Sequence, residues 1–191
     1  MGRAKRVRER LALMFANLRR AQAFVAVGLL SAGFFAISLA IRLPGPQAWD
    51  RSVSIHVQRI GSEVLDQVAI AITFFGSAPA LVGTAAAAAG ALWLMKKPWA
   101  AFGSILSLVG LGLNPLFKIA FGRERPSGGG IEVILPAAGL SYPSGHAMAS
   151  TAVYGWIAAL GWVLLPGRAR LWALLTMGAL VVGIGLSRVY L

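Results

Sequence analysis

The chain has no cysteine, only six acidic residues and only two histidines among 191 positions. The missing thiols exclude disulfides, thiolate metal sites and cysteine nucleophiles. The scarcity of charge excludes more. Only 13% of residues are charged, against about 25% in a soluble domain, so the chain cannot cover a water-facing surface. It is 58% hydrophobic with a mean hydropathy of +0.74. Several apolar runs approach the ~20 residues that span a bilayer as a helix. Backbone groups in lipid must bond within their own segment, so these runs are read as helices. Composition therefore predicts an all-α, polytopic helical membrane protein built as one domain. The shortage of acids leaves a net charge of +12. In a membrane protein that excess reads as orientation and anion binding, with no nucleic-acid partner.

Residues 1–20 hold Arg3, Lys5, Arg6, Arg8, Arg10, Arg19 and Arg20 against Glu9 alone, interleaved with Leu11, Leu13, Met14, Phe15 and Leu18. They read as a basic cytoplasmic amphipathic segment on an anionic leaflet, or as a plain topology signal. Met1-Gly2 lacks the Ser or Thr that myristoylation needs, because Arg6 stands there. Residues 22–41 form the first expected span. Their apolar core is too long for an ordinary signal peptide, although Ser38-Leu39-Ala40 has the small-x-small form of a cleavage site.

Residues 43–66 are too polar to span and leave room for a short interfacial helix. Gly76-Ser77-Ala78-Pro79 marks a break. Further spans are expected at about 79–95, 99–117, 145–165 and 171–188, with a tight turn at Pro166-Gly167-Arg168-Ala169-Arg170. Apart from Ala85 to Ala89 there is no repeat or low-complexity tract. The N-terminal cations, Lys96-Lys97 and Arg168/Arg170 fall on one side, which the positive-inside rule makes cytoplasmic. The loops 42–78 and 118–144, and Arg188, then face outward.

Three polar stretches interrupt the apolar pattern: Lys118-x6-Arg125-Pro126, Pro143-Ser144-Gly145-His146 and Ser187-Arg188. Lys118 and Arg125 are about two helical turns apart, so both can lie on one face of a helix that Pro126 ends. Either cation alone could simply reach to the interface. Ser144 suits an N-cap. Free N–H groups at a helix start attract phosphate, and Gly145 lets an anion approach the backbone without a Cβ in the way. His146, in the first turn, can donate a proton to a leaving oxygen. Arg188 can snorkel, or grip phosphate as a planar fork. His56, in the 43–66 stretch, reads as a solvated or interfacial residue. The three stretches come in order, each at a helix end on one predicted face.

With those residues the chain resembles the PAP2 superfamily, the type 2 phosphatidic acid phosphatases and their relatives. That family's signature is K-x6-R-P, then P-S-G-H, then S-R-x5-H-x3-D. Lys118 to Pro126 and Pro143 to His146 match the first two motifs in full, and Ser187-Arg188 matches the start of the third. The resemblance covers about residues 20–191 and implies a PAP2-like bundle with five of its six transmembrane helices present, over a domain at 21–191 that is incomplete at its C-terminus. It implies that Lys118, Arg125 and Arg188 bind phosphate oxygens, that Ser144 and the Gly145 backbone donate to the same group, and that His146 protonates the leaving group. No metal or other cofactor is implied. The partners implied are membrane lipids, among them a lipid-linked phosphate substrate.

The family's nucleophile, the histidine of the third motif, would fall three residues beyond Leu191. The chain as given is therefore expected to be inactive or nearly so, while the complete protein hydrolyses a lipid-linked phosphate monoester or pyrophosphate through a phosphohistidine. Undecaprenyl pyrophosphate, phosphatidic acid and phosphatidylglycerophosphate are the candidates, and the bacterial plasma membrane is the expected location. The alternatives are a lipid phosphotransferase on the same scaffold, an inactive phosphate-binding remnant, and part of a transporter. A transporter would need a second half matching the break at 76–79, and none is seen. The soluble vanadium haloperoxidases share the motifs, but the spans here argue against them.

Overall fold

The computed structural model describes residue 25 and residues 27–41, 45–125, 134–135 and 139–191. The basic segment at 1–20, Pro126 and the glycine run 128–130 lie outside the described residues. Eight helices carry the described chain, which has no strand among those residues. They are α1 (Val27–Ala40), α2 (Gly45–Gln58), α3 (Glu63–Phe74), α4 (Ala78–Leu94), α5 (Pro98–Leu106), α6 (Val109–Phe121), α7 (Gly145–Leu164) and α8 (Ala169–Tyr190). Two compact units divide at residue 47, with α1 in the first and the helices from α3 onward in the second.

Within the first unit, α1 is the described part of the expected first span. It is apolar but only 14 residues long, and Ser38 turns its hydroxyl back onto the Phe34 carbonyl at 2.7 Å.

In the second unit, three continuous stretches are long and apolar enough to cross a membrane: Pro98–Phe121, which joins α5 and α6, then Gly145–Leu164 and Ala169–Tyr190. These match the last three expected spans. A fourth crossing exists if α3 and α4 count as one span bent by 48°. The span expected at 79–95 is thus preceded by an extra helix. Ser62 caps α3 by accepting from Leu65 N–H at 3.2 Å, and Ser77 caps α4 by accepting from Ala80 N–H at 3.4 Å. Residues 75–77 form the break between them, as the Gly76-to-Pro79 sequence predicts. The polar stretch 43–66 holds the short helix α2.

α7 is the central element, packed against α8, α6, α4 and α5, while α3 lies on α8. The fully enclosed core is small: Leu81 from α4, Ala149, Val153 and Tyr154 from α7, and Ile184 from α8. Small residues let the helices approach. A Cβ on Gly161 would stand 2.8 Å from that of Ala173, and one on Gly110 would stand 3.2 Å from the Ala149 Cα. Close approach at small residues is the usual basis of helix association in lipid, where apolar burial supplies no driving force. Polar bonds reinforce it. Tyr154 donates to the Phe75 carbonyl at 2.8 Å, tying the α3–α4 bend to α7. Trp156 donates its indole N–H to the buried Ser104 hydroxyl at 3.0 Å, tying α7 to α5.

Tryptophans mark one end of the bundle. Trp93, Trp99, Trp162 and Trp172 are exposed beside the α4–α5 and α7–α8 turns, with Lys96, Lys97, Arg168 and Arg170. The Arg170 guanidinium lies 4.9 Å from the Trp162 ring centroid. Such rings sit at the headgroup level of a bilayer. This end is opposite to the one where α6 stops, α7 starts and α8 stops.

Candidate active site

The three polar stretches meet at that opposite end. α6 brings Lys118 in its last turn, the start of α7 brings Ser144, Gly145 and His146, and the last turn of α8 brings Arg188. Arg188, Lys118 and Arg125 all act electrostatically on His146. Lys118 in turn feels Arg125 and Arg188. Three cations around one imidazole repel one another. Among the described residues no carboxylate pairs with any of them. A cluster of cations of this kind attracts anions.

One expectation about this geometry is corrected. Arg125 does not share a helix with Lys118. Gly122 ends α6 in the left-handed conformation at φ 62°, and its N–H bonds the Lys118 carbonyl at 2.8 Å. That is the cap a glycine forms without steric cost, and it stops the helix before Pro126 can. Arg125 therefore reaches the cluster from the loop. Its Nε donates to the Gly139 carbonyl at 3.1 Å, which uses one of the five guanidinium donors. The loop is closed at its base by Ser141, whose N–H bonds the Arg123 carbonyl at 2.8 Å and whose hydroxyl bonds that of Glu124 at 2.9 Å. Arg123 itself pairs with Asp50 of α2 and so belongs to the loop's support. Phe121 meets Tyr142 edge-on, with centroids 5.3 Å apart, on the way into α7.

Ser144 caps α7, its Oγ accepting from Ala147 N–H at 3.4 Å. A capping hydroxyl accepts with its oxygen and keeps its hydrogen to donate elsewhere. Ser187 differs: it is buried and donates to the Ile184 carbonyl at 2.8 Å, so it serves α8 and not an external group. The end of α8 is held from two sides. Tyr190 donates to Asp66 of α3, and Gln58 of α2 donates to the Tyr190 carbonyl at 3.2 Å. His56 is exposed on α2 and is not among the groups acting on His146.

Two close neighbours carry no motif signal. Gly76, in the α3–α4 break, lies behind the imidazole: a Cβ there would stand 3.1 Å from His146 Cδ2 and 2.7 Å from Ile184 Cγ2. Asn114, one turn before Lys118, is buried and donates to the Pro143 carbonyl at 3.1 Å. Among the described residues no group of three or more His, Asp or Glu is placed to hold a metal ion.

A helical membrane bundle with three cations, a capped helix start and a histidine at one end has the parts of a class of anion-binding membrane protein. The comparisons give that class a name. No family model matches the sequence. Phosphatidylglycerophosphatase B of Bacillus subtilis (strain 168) is 27% identical over 164 residues, covering 83% of this chain and 78% of the relative. The crystal structure of a transmembrane PAP2 type phosphatidylglycerolphosphate phosphatase from Bacillus subtilis superposes with a TM-score of 0.73 at 27% identity. It covers 83% of this chain and 79% of that one. Both likenesses support the PAP2 resemblance that the three motifs carry, and the apolar helices together with the transmembrane relative support an integral membrane protein.

Proposed function

We propose that the protein hydrolyses a lipid-linked phosphate monoester at the outer face of the plasma membrane, with phosphatidylglycerophosphate as the leading substrate. The observation that carries the reading is the convergence of Lys118, Arg125 and Arg188 on His146 at a capped helix start. The choice of lipid rests on the phosphatidylglycerophosphatase relative. The cations at the turns of the tryptophan-marked end support an outward-facing site at the other end.

In this reading Lys118, Arg125 and Arg188 hold the phosphate oxygens. The Ser144 hydroxyl and the Gly145 N–H donate to the same group. Charge that develops on those oxygens meets donors already in place, which is how phosphoryl transfer is mainly accelerated. His146 gives its proton to the leaving alcohol oxygen as the P–O bond breaks. The resemblance assigns attack on phosphorus to a histidine three residues past Leu191, and release of phosphate to water. That position is outside these 191 residues, so no role in attack is given to His146.

The test is phosphate release in mixed micelles by the membrane protein expressed from its own gene. Phosphatidylglycerophosphate, phosphatidic acid and undecaprenyl pyrophosphate are compared. Release is expected to be fastest from phosphatidylglycerophosphate. Lys118→Ala is expected to slow it by about 100-fold, the scale of losing one charge-stabilising group in such a site. Release that Lys118→Ala leaves unchanged, or none from any of the three lipids, would overturn the reading.

A further inference from the structure

We infer that Asn114 is a positioning residue for the anion site, holding the Pro143-Ser144-Gly145 turn at a set distance from Lys118. The inference rests on the phosphate-site reading above and adds a residue outside the signature motifs. Asn114 lies within the Pro98–Phe121 span and is only 7% exposed. An amide there is costly unless bonded, and an apolar residue would suit the span better. Its bonds run to the turn that opens α7. Nδ2 donates to the Pro143 carbonyl at 3.1 Å and lies 3.8 Å from the Met148 sulfur.

The other half of the amide faces Gly145. A Cβ built on Gly145 would stand 3.0 Å from Asn114 Oδ1 and 3.4 Å from its Cγ. The side chain therefore fills the space behind Gly145, and the turn cannot settle closer to α6. Lys118 is one turn further along the same helix, about 6 Å of rise. One amide thus links the helix that carries a phosphate-binding cation to the backbone that carries the N–H donors. The Cβ that Gly145 lacks would point at Asn114, so the glycine makes room for that amide.

Titration of the full 191-residue chain in detergent with inorganic phosphate tests this, with thermal melting followed in parallel. Asn114→Leu keeps the volume and removes the amide. It is expected to melt near the unchanged protein yet bind phosphate about tenfold more weakly, the scale of one misplaced charge-assisted bond. Asn114→Ala and Gly145→Ala are each expected to cost about tenfold. Combined they should cost about the same as one alone, because the new methyl then occupies the space the amide has left.

Unchanged phosphate affinity in Asn114→Leu, with or without a lower melting temperature, would reduce Asn114 to a structural contact and overturn the inference. So would losses that multiply in the double variant. If the unchanged protein binds no phosphate, the anion-site reading itself falls and takes the inference with it. Binding abolished by Lys118→Ala but untouched by Asn114→Leu removes the inference alone.

Discussion

Arg188→Ala is expected to weaken binding of inorganic phosphate by about two orders of magnitude without altering helix content. The guanidinium is half-buried at the end of α8 and acts on both His146 and Lys118. A hydrogen bond to a charged group is worth about 1.5–3 kcal/mol. A planar fork that makes two such bonds reaches the upper end of that range, and about 2.7 kcal/mol corresponds to a hundredfold in affinity. Removing one cation also relieves repulsion with Lys118, which offsets part of the loss in the fold but not in the anion affinity. Arg188→Lys keeps the charge and loses the fork, so it should recover only part of the affinity. Calorimetric titration of both variants checks the order. Equal affinities in the unchanged protein and Arg188→Ala would show that Arg188 only reaches to the interface.

Gly103→Val is expected to prevent accumulation of folded protein, and Gly103→Ala to lower its stability by about 1–3 kcal/mol. A Cβ on Gly103 would stand 2.2 Å from Trp156 Cζ2 and 2.7 Å from its Cη2. The ring cannot simply swing aside, because its N–H is bonded to Ser104 on the next residue of α5. Moving it would leave the buried Ser104 hydroxyl without that donor and push α5 from α7, the central helix. The valine side chain adds two further carbons to the same space. Yield of monodisperse protein in detergent and its melting temperature report the effect. A Gly103→Val protein that purifies and melts like the unchanged chain would contradict the packing described for α5 and α7.

The residues of the candidate site were legible in the sequence because the surroundings are so apolar. Lys118, Ser144, Gly145, His146 and Arg188 stand out at the ends of long hydrophobic runs, and the structure brings them to one end of the bundle. Arg125 was legible as a member of the cluster but not in its placement. Two-turn spacing favours one helical face, yet Gly122 between the two cations is itself a helix stop. The stop therefore comes at Gly122, ahead of the more conspicuous Pro126.

The contacts that Asn114 and Gly76 make at the site are not legible in the sequence, for a different reason. Each is a single residue inside or beside an apolar run, and its importance lies in what comes opposite from elsewhere in the chain. The asparagine carries a signal as an amide in a membrane span, and the glycine only as part of a helix break. Gly103 carried none, since its role depends on Trp156 far along the chain. The break at residues 75–77 was legible from glycine and proline. The helix preceding it was not, because α3 carries Glu63, Asp66 and Gln67 and reads as only weakly apolar.

The chain's two histidines allow the most direct measurement. Nitrogen-15 labelling of histidine alone yields imidazole signals from His146 in the cluster and His56 exposed on α2, and inorganic phosphate can be titrated against both at constant pH and ionic strength. The expected result is a saturable shift of the His146 signals, lost in Arg188→Ala, with His56 unmoved. Signals that stay still, or that move together in proportion to added salt, would contradict a phosphate site built around His146.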